Sequence, residues 1–141
     1  MPALFVDTSA FYAVADESDR HHARAEAVFV SRATAGDLVT TDHVFVETWC
    51  LIRARLGRKA AMRFWDAMAR GVVRMFGVRT ADLVRAREIA REWDDQAFSL
   101  IDCTSFALLE RRRIPEVLAF DAHCRLYRFG PQRRSGLRVL P

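Results

Sequence analysis

Short apolar runs alternate along the chain with longer stretches of helical periodicity. Ala3-Leu4-Phe5-Val6 is an unbroken apolar run stopped by Asp7, the form of a strand buried on both faces. Leu38-Val39-Thr40, Val72 to Val78, Val117-Leu118-Ala119-Phe120 and Leu137-Arg138-Val139-Leu140 supply further strand candidates. Between them the spacing predicts helices from Ser9 to Ala15 and from Asp19 or Arg20 to Ala35, closed by Gly36. Another runs from Asp42 to Leu56, where Phe45, Trp49, Ile52 and Leu56 recur at helical spacing before Gly57. Arg58 to Arg70 follows, with Ala61, Phe64, Trp65 and Met68 on one face. Thr80 is placed to cap a helix striped by Leu83, Ala86, Ala90 and Trp93. A further helix opens near Ser99 and ends at Arg111-Arg112-Arg113, and a short one is expected from Asp121 to Arg128. Strands alternating with helices imply an α/β fold, with a central parallel sheet flanked by helices in three layers. No linker or repeat interrupts residues 1–141, so one domain is expected.

Composition narrows the class. At 51% hydrophobic and 28% charged, the chain can bury a core. No run of eighteen apolar residues occurs, so a membrane span is not expected. The early acid in Met-Pro-Ala-Leu-Phe-Val-Asp also disfavours a signal peptide. Cys50, Cys103 and Cys124 are odd in number and widely spaced, which disfavours a disulfide framework or a cysteine zinc site and suits a reducing cytoplasm. The net charge is +4, almost wholly from arginine, Lys59 being the only lysine. Arginine suits phosphate recognition. On charge alone, an excess this modest and dispersed reads as solvated helix faces.

Position singles out certain acids. In a parallel α/β sheet, ligands lie beyond the carboxyl ends of the strands, where crossovers diverge. Asp7 ends the first predicted strand and Asp121 the fourth, although an Asp between strand and helix is also a good N-cap. Ser99-x-x-Asp102 matches a capping box, which leaves one carboxylate oxygen free for other work. Glu47 lies mid-helix with Val44, Cys50 and Leu51 at its neighbouring turns and no Arg or Lys at those offsets. It either reaches water at the edge of the stripe or is neutralised by something else. If these acids meet, each carboxylate pair at ~4 Å repels by roughly 4 kcal/mol at an effective dielectric of 20. Oxygen ligands without a His or Cys cluster point to Mg²⁺ or Mn²⁺.

Asp7-Thr8-Ser9 after a short strand, Val44-x-x-Glu47-Thr48-Trp49, Ser99-x-x-Asp102 and Phe120-Asp121-x-His123 together resemble the PIN domain family, and within it the VapC-type toxins of toxin–antitoxin pairs. The resemblance covers nearly the whole chain in the family's order. It implies a metal-dependent endoribonuclease, with Asp7, Glu47, Asp102 and Asp121 as the catalytic and metal-holding acids and Ser9 supporting them. It also implies Mg²⁺ or Mn²⁺, an RNA substrate, a cognate antitoxin and a homodimer. Two positions depart from the common pattern: Ala119 stands where many members have Thr, and Cys124 where many have Phe. His123 is expected to be a surface or packing residue, and the pairs His21-His22 and Asp94-Asp95 to be solvated.

Other readings fit less well. A phosphoacceptor receiver domain needs a lysine after its last strand, whereas Lys59 falls on a predicted helix. A haloacid-dehalogenase-type phosphatase needs Asp-x-Asp, and Ser9 occupies the second position. A non-catalytic RNA-binding or scaffold PIN-like domain is the remaining alternative, disfavoured by the presence of all four acids.

Overall fold

A computed structural model describes residues 2–141. Its centre is a parallel sheet in which β1 (Leu4–Val6) lies between β2 (Leu38–Thr41) and β4 (Glu116–Leu118). β3 (Arg74–Phe76) extends the sheet beside β2 and β7 (Arg138–Leu140) beside β4, giving the order β3-β2-β1-β4-β7. Every residue of β1, β2 and β4 is buried. Because alternate strand residues point to opposite faces, complete burial requires helices on both sides. The helices are α1 (Thr8–Ala15), α2 (His22–Ala35), α3 (Asp42–Leu56), α4 (Arg58–Ala69), α5 (Thr80–Glu92), α6 (Leu100–Arg112) and α7 (His123–Leu126). The architecture is the expected three-layer α/β arrangement.

Chain order places a switch point at the sheet's centre. From β1 the chain steps to β2 and β3 on one side, then returns to β4 on the other. The crevice beyond the carboxyl ends of β1 and β4 is therefore where a ligand site is expected. At the opposite end the charges are paired. Buried Arg32 meets Asp37 at 2.9 Å and Glu116 at 3.5 Å, so both acids are neutralised locally.

Several boundaries differ from the periodicity. The predicted strand Val72 to Val78 shrinks to the three residues of β3, which is an edge strand and half open to solvent. The fourth strand ends at Leu118, so Asp121 sits three residues beyond it rather than at its last position. The helix expected over Asp121 to Arg128 is only α7; the chain then forms a small antiparallel ribbon, β5 (Arg128–Phe129) with β6 (Ser135–Gly136). Gly130 at φ 75° and the Pro131–Arg133 turn make that reversal, and no apolar alternation announces it. Thr80 is the first residue of α5 rather than its cap. The acid one turn in, Asp82, closes that end by accepting from the Arg79 N–H at 2.9 Å.

Candidate active site

Asp7 follows β1 directly and is 5% exposed. It occupies the N-cap position of α1, yet its side chain makes no cap hydrogen bond. Its carboxylate instead accepts from the Ser9 hydroxyl at 3.1 Å. The same hydroxyl accepts from the Phe120 N–H at 3.0 Å, so Ser9 ties the end of β1 to the segment after β4. Capping alone does not account for Asp7.

Asp102 opens α6 in the expected capping box. Its N–H donates to Ser99 Oγ at 3.0 Å, and its Oδ2 accepts from the Ser99 N–H at 2.9 Å. The same oxygen also lies 2.6 Å from His123 Nδ1, so His123, which packs edge-on against Phe98 in keeping with the expected surface or packing role, also contacts a candidate acid. The His123 backbone N–H donates to Asp121 Oδ1 at 3.1 Å. One residue thereby holds two acids, through its imidazole on one side and its amide on the other.

Two sets of side chains offer atoms that all lie within 4.8 Å of one another: Asp7, Asp121 and Cys124, and Asp102, Asp121 and His123. Asp121 is common to both and bridges the cluster. Glu47 stands outside both sets, half-buried on α3, and lines a cleft of about 410 Å³ with Asp121. The sequence reading named His123 within the Phe120-Asp121-x-His123 motif and Cys124 as a departure from the family pattern, but assigned neither to the cluster.

The electrostatics set these acids apart. The fully buried acids elsewhere have arginine partners: Asp82 meets Arg111 at 2.7 Å and Glu116 meets Arg32. Pairing holds the Asp82 carboxyl below its ordinary value. Among the described residues, Asp7, Glu47 and Asp121 have no ion-pair partner, and Asp102 has only His123. Burial pushes Asp7 up to about 7, and the Asp121 and Asp102 charges add to it, against the Thr8 amide and Ser9 hydroxyl. Glu47 is raised too, by desolvation and then by Asp102 and Asp121. Burial raises the Cys124 thiol strongly, so it stays protonated and offers no thiolate. Beside Asp7, the Thr8 hydroxyl is buried without a partner. Carboxylate oxygens, one imidazole and an unpartnered hydroxyl suit a hard divalent cation and not a thiolate-bound metal.

The solvated placement expected for His21-His22 is not what the structure shows. Both are half-buried; His21 stacks on Phe120 with ring centroids 4.4 Å apart, and His22 Nδ1 bonds the Ala13 carbonyl at 2.8 Å. Asp94 and Asp95 are exposed, as expected.

The PIN domain profile matches residues 4–130. The 23S rRNA-specific endonuclease VapC20 of Mycobacterium tuberculosis is 36% identical over 122 residues, covering 84% of this chain and 88% of that protein. Its crystal structure, described as that of a sarcin–ricin loop cleaving toxin, covers 85% of this chain and 91% of its own at a TM-score of 0.79 and 31% identity. Ribonuclease VapC26 of the same organism is 27% identical over 118 residues, covering 84% and 86%. DNA-bound VapBC from Salmonella typhimurium shares the fold at a TM-score of 0.66 and 11% identity, over 99% of this chain and 97% of that one. Similarity of this extent, from β1 through the ribbon strand β5, shows that the chain belongs to the PIN domain family.

Proposed function

We propose that this protein is a metal-dependent endoribonuclease that acts as the toxin of a toxin–antitoxin pair. The observation that carries this reading is an acidic cluster without an arginine: Asp7, Asp102 and Asp121 converge at the switch point, whereas the buried acids Asp82 and Glu116 each meet an arginine. The endonuclease and ribonuclease activities named for VapC20 and VapC26 support it.

In this reading Asp7, Asp102 and Asp121 hold Mg²⁺ or Mn²⁺, and Glu47 faces them across the cleft. When bound, such an ion supplies Lewis acidity and lowers the pKa of water, which phosphodiester hydrolysis at neutral pH requires. His123 fixes the Asp102 carboxylate, and Ser9 fixes Asp7. Glu47, with its raised proton affinity, is suited to hold a proton during hydrolysis. The Arg20 and Arg55 side chains on the cleft wall position the RNA backbone.

In this reading the antitoxin seats in an apolar groove of about 210 Å³, lined by Phe11, Phe29, Phe64, Met68 and Val72. Phe29 lines the groove, whereas Trp49 packs around Tyr12 and Ile52. Ribosomes or 23S rRNA, the substrate class in the name of VapC20, are the first RNAs to test. The expected result is cleavage with Mg²⁺ or Mn²⁺, abolished by excess EDTA and reduced at least ~10²-fold by Asp102→Asn. Undiminished cleavage in EDTA would overturn the proposal.

A further inference from the structure

Beside the acids, the cleft has a second wall of different chemistry. It carries the rings of Tyr12, His21 and Phe120 and the guanidiniums of Arg20 and Arg55, and it meets the acidic cluster at Asp121. His21 and Phe120 lie nearly parallel, 14° apart, with centroids at 4.4 Å. Phe120 is the residue before Asp121, so this stack begins where the acidic cluster ends. Arg55 lies over the Tyr12 ring at 5.0 Å, and Arg20 Nε donates to His21 Nε2 at 3.1 Å. Neither arginine has a carboxylate partner among the described residues.

The wall is built rather than incidental. The turn that carries His21 is tied by Tyr12 Oη to Asp16 at 2.7 Å, by Ser18 Oγ to Asp16 at 2.7 Å and by the His21 N–H to Asp19 at 2.8 Å. His22 bonds back to α1 through the Ala13 carbonyl. The Ser9 hydroxyl holds the Phe120 amide. Both partners of the stack are thus fixed before any ligand arrives, which lowers the ordering cost of binding.

We infer that this wall is a nucleobase subsite: it takes one unpaired base of a single-stranded RNA against the His21–Phe120 stack, beside the phosphate presented to the acids. The inference rests on the nuclease reading above and adds the substrate element that the cleft selects. Stacking on aromatic faces tolerates any base, and flanking guanidiniums neutralise the backbone on either side. The cleft volume of about 410 Å³ lies within the roughly 300–1,000 Å³ of ordinary small-molecule sites. Duplex RNA keeps its bases stacked inside the helix and cannot use such a wall, so the subsite favours loops, bulges and ends.

The test uses eight-residue single-stranded RNAs with 2-aminopurine at each position in turn, bound to the full-length Asp102→Asn protein with Mg²⁺. One position should be quenched strongly on binding. His21→Ala in that background should remove the quench and weaken binding at least about tenfold, whereas His21→Phe should retain both. An abasic nucleotide at the quenched position should cost the same factor and make His21→Ala silent. If the abasic RNA binds as tightly as the intact one, or His21→Ala weakens both equally, the subsite is overturned. Cleavage by the wild type is scored separately: cleavage without a quench removes only the subsite, and a quench without metal-dependent cleavage removes only the nuclease reading.

Discussion

The His123 imidazole donates to Asp102 across 2.6 Å, joining the first turn of α6 to α7, 21 residues further along the chain. In the proposed site this bond holds Asp102 in place beside Asp7 and Asp121. Mutually repelling acids splay apart, and a donor between two of them fixes their spacing. His123→Ala is expected to weaken divalent-cation binding about 10- to 100-fold by titration calorimetry, the usual scale for losing a group that orients a metal-holding side chain. An unchanged dissociation constant would return His123 to a packing role.

Asp7 contributes a pH dependence to the stability of the metal-free protein. Burial pushes its carboxyl up to about 7, well above the ordinary carboxylate range. A carboxyl raised on folding contributes its stability fully below the unfolded value and loses it as pH rises through the folded one. Without metal, stability should therefore fall between about pH 4 and pH 7 from this group. Asp7→Asn should flatten that decline and leave the protein more stable than wild type at pH 8 in EDTA, measured by urea unfolding. A loss of about 1 kcal/mol at pH 8 would instead assign Asp7 a capping role.

Metal should reverse the same penalty. Binding to the folded state alone stabilises by roughly 2.7 kcal/mol at a hundred times the dissociation constant, so Mg²⁺ or Mn²⁺ should raise the melting temperature. Asp7→Asn should remove most of this response. Glu47→Gln should cut cleavage at least ~10²-fold, because a neutral amide replaces a charged group facing the reacting centre. A Glu47→Gln protein that cleaves at the wild-type rate would place Glu47 outside the chemistry.

Ser9→Ala should cost about 1–3 kcal/mol in denaturant unfolding. It removes a donor to Asp7 and leaves the Phe120 amide without its acceptor. Cleavage should fall with it, since Phe120 and Asp121 lose their tie to β1. Full stability and activity in this variant would show that the hydroxyl is dispensable.

Expression should arrest growth for the wild type and be harmless for Asp102→Asn. The product of an adjacent small reading frame should rescue growth. Val72→Glu introduces a charge at the exposed rim of the apolar groove and should abolish rescue without reducing toxicity. Equal toxicity of wild type and Asp102→Asn would exclude RNA cleavage as the cause.

The sequence by itself determined the elements whose signals are local. The apolar run of β1, the Ser99–Asp102 capping box and the helix stops at Gly36 and Gly57 depend on residues within a few positions of one another, and all stand where the pattern placed them. Asp7 and Asp102 were legible as candidates for the same reason: a strand end and a helix's first turn are where such residues can reach a shared crevice. Tertiary structure decided the partners. His123 beside Asp102, His21 on Phe120 and Ser9 beneath the Phe120 amide are contacts 21, 99 and 111 residues apart, made only once β1 and β4 lie side by side. The burial of the paired histidines came from the turn that folds back over α1. Where Asp121 falls was likewise a matter of packing, because β4 ends at Leu118, where its last pairings to β1 and β7 are made, and the chain turns away toward α7. A one-dimensional pattern records which face a residue prefers, whereas the group that meets it there is set by the sheet order.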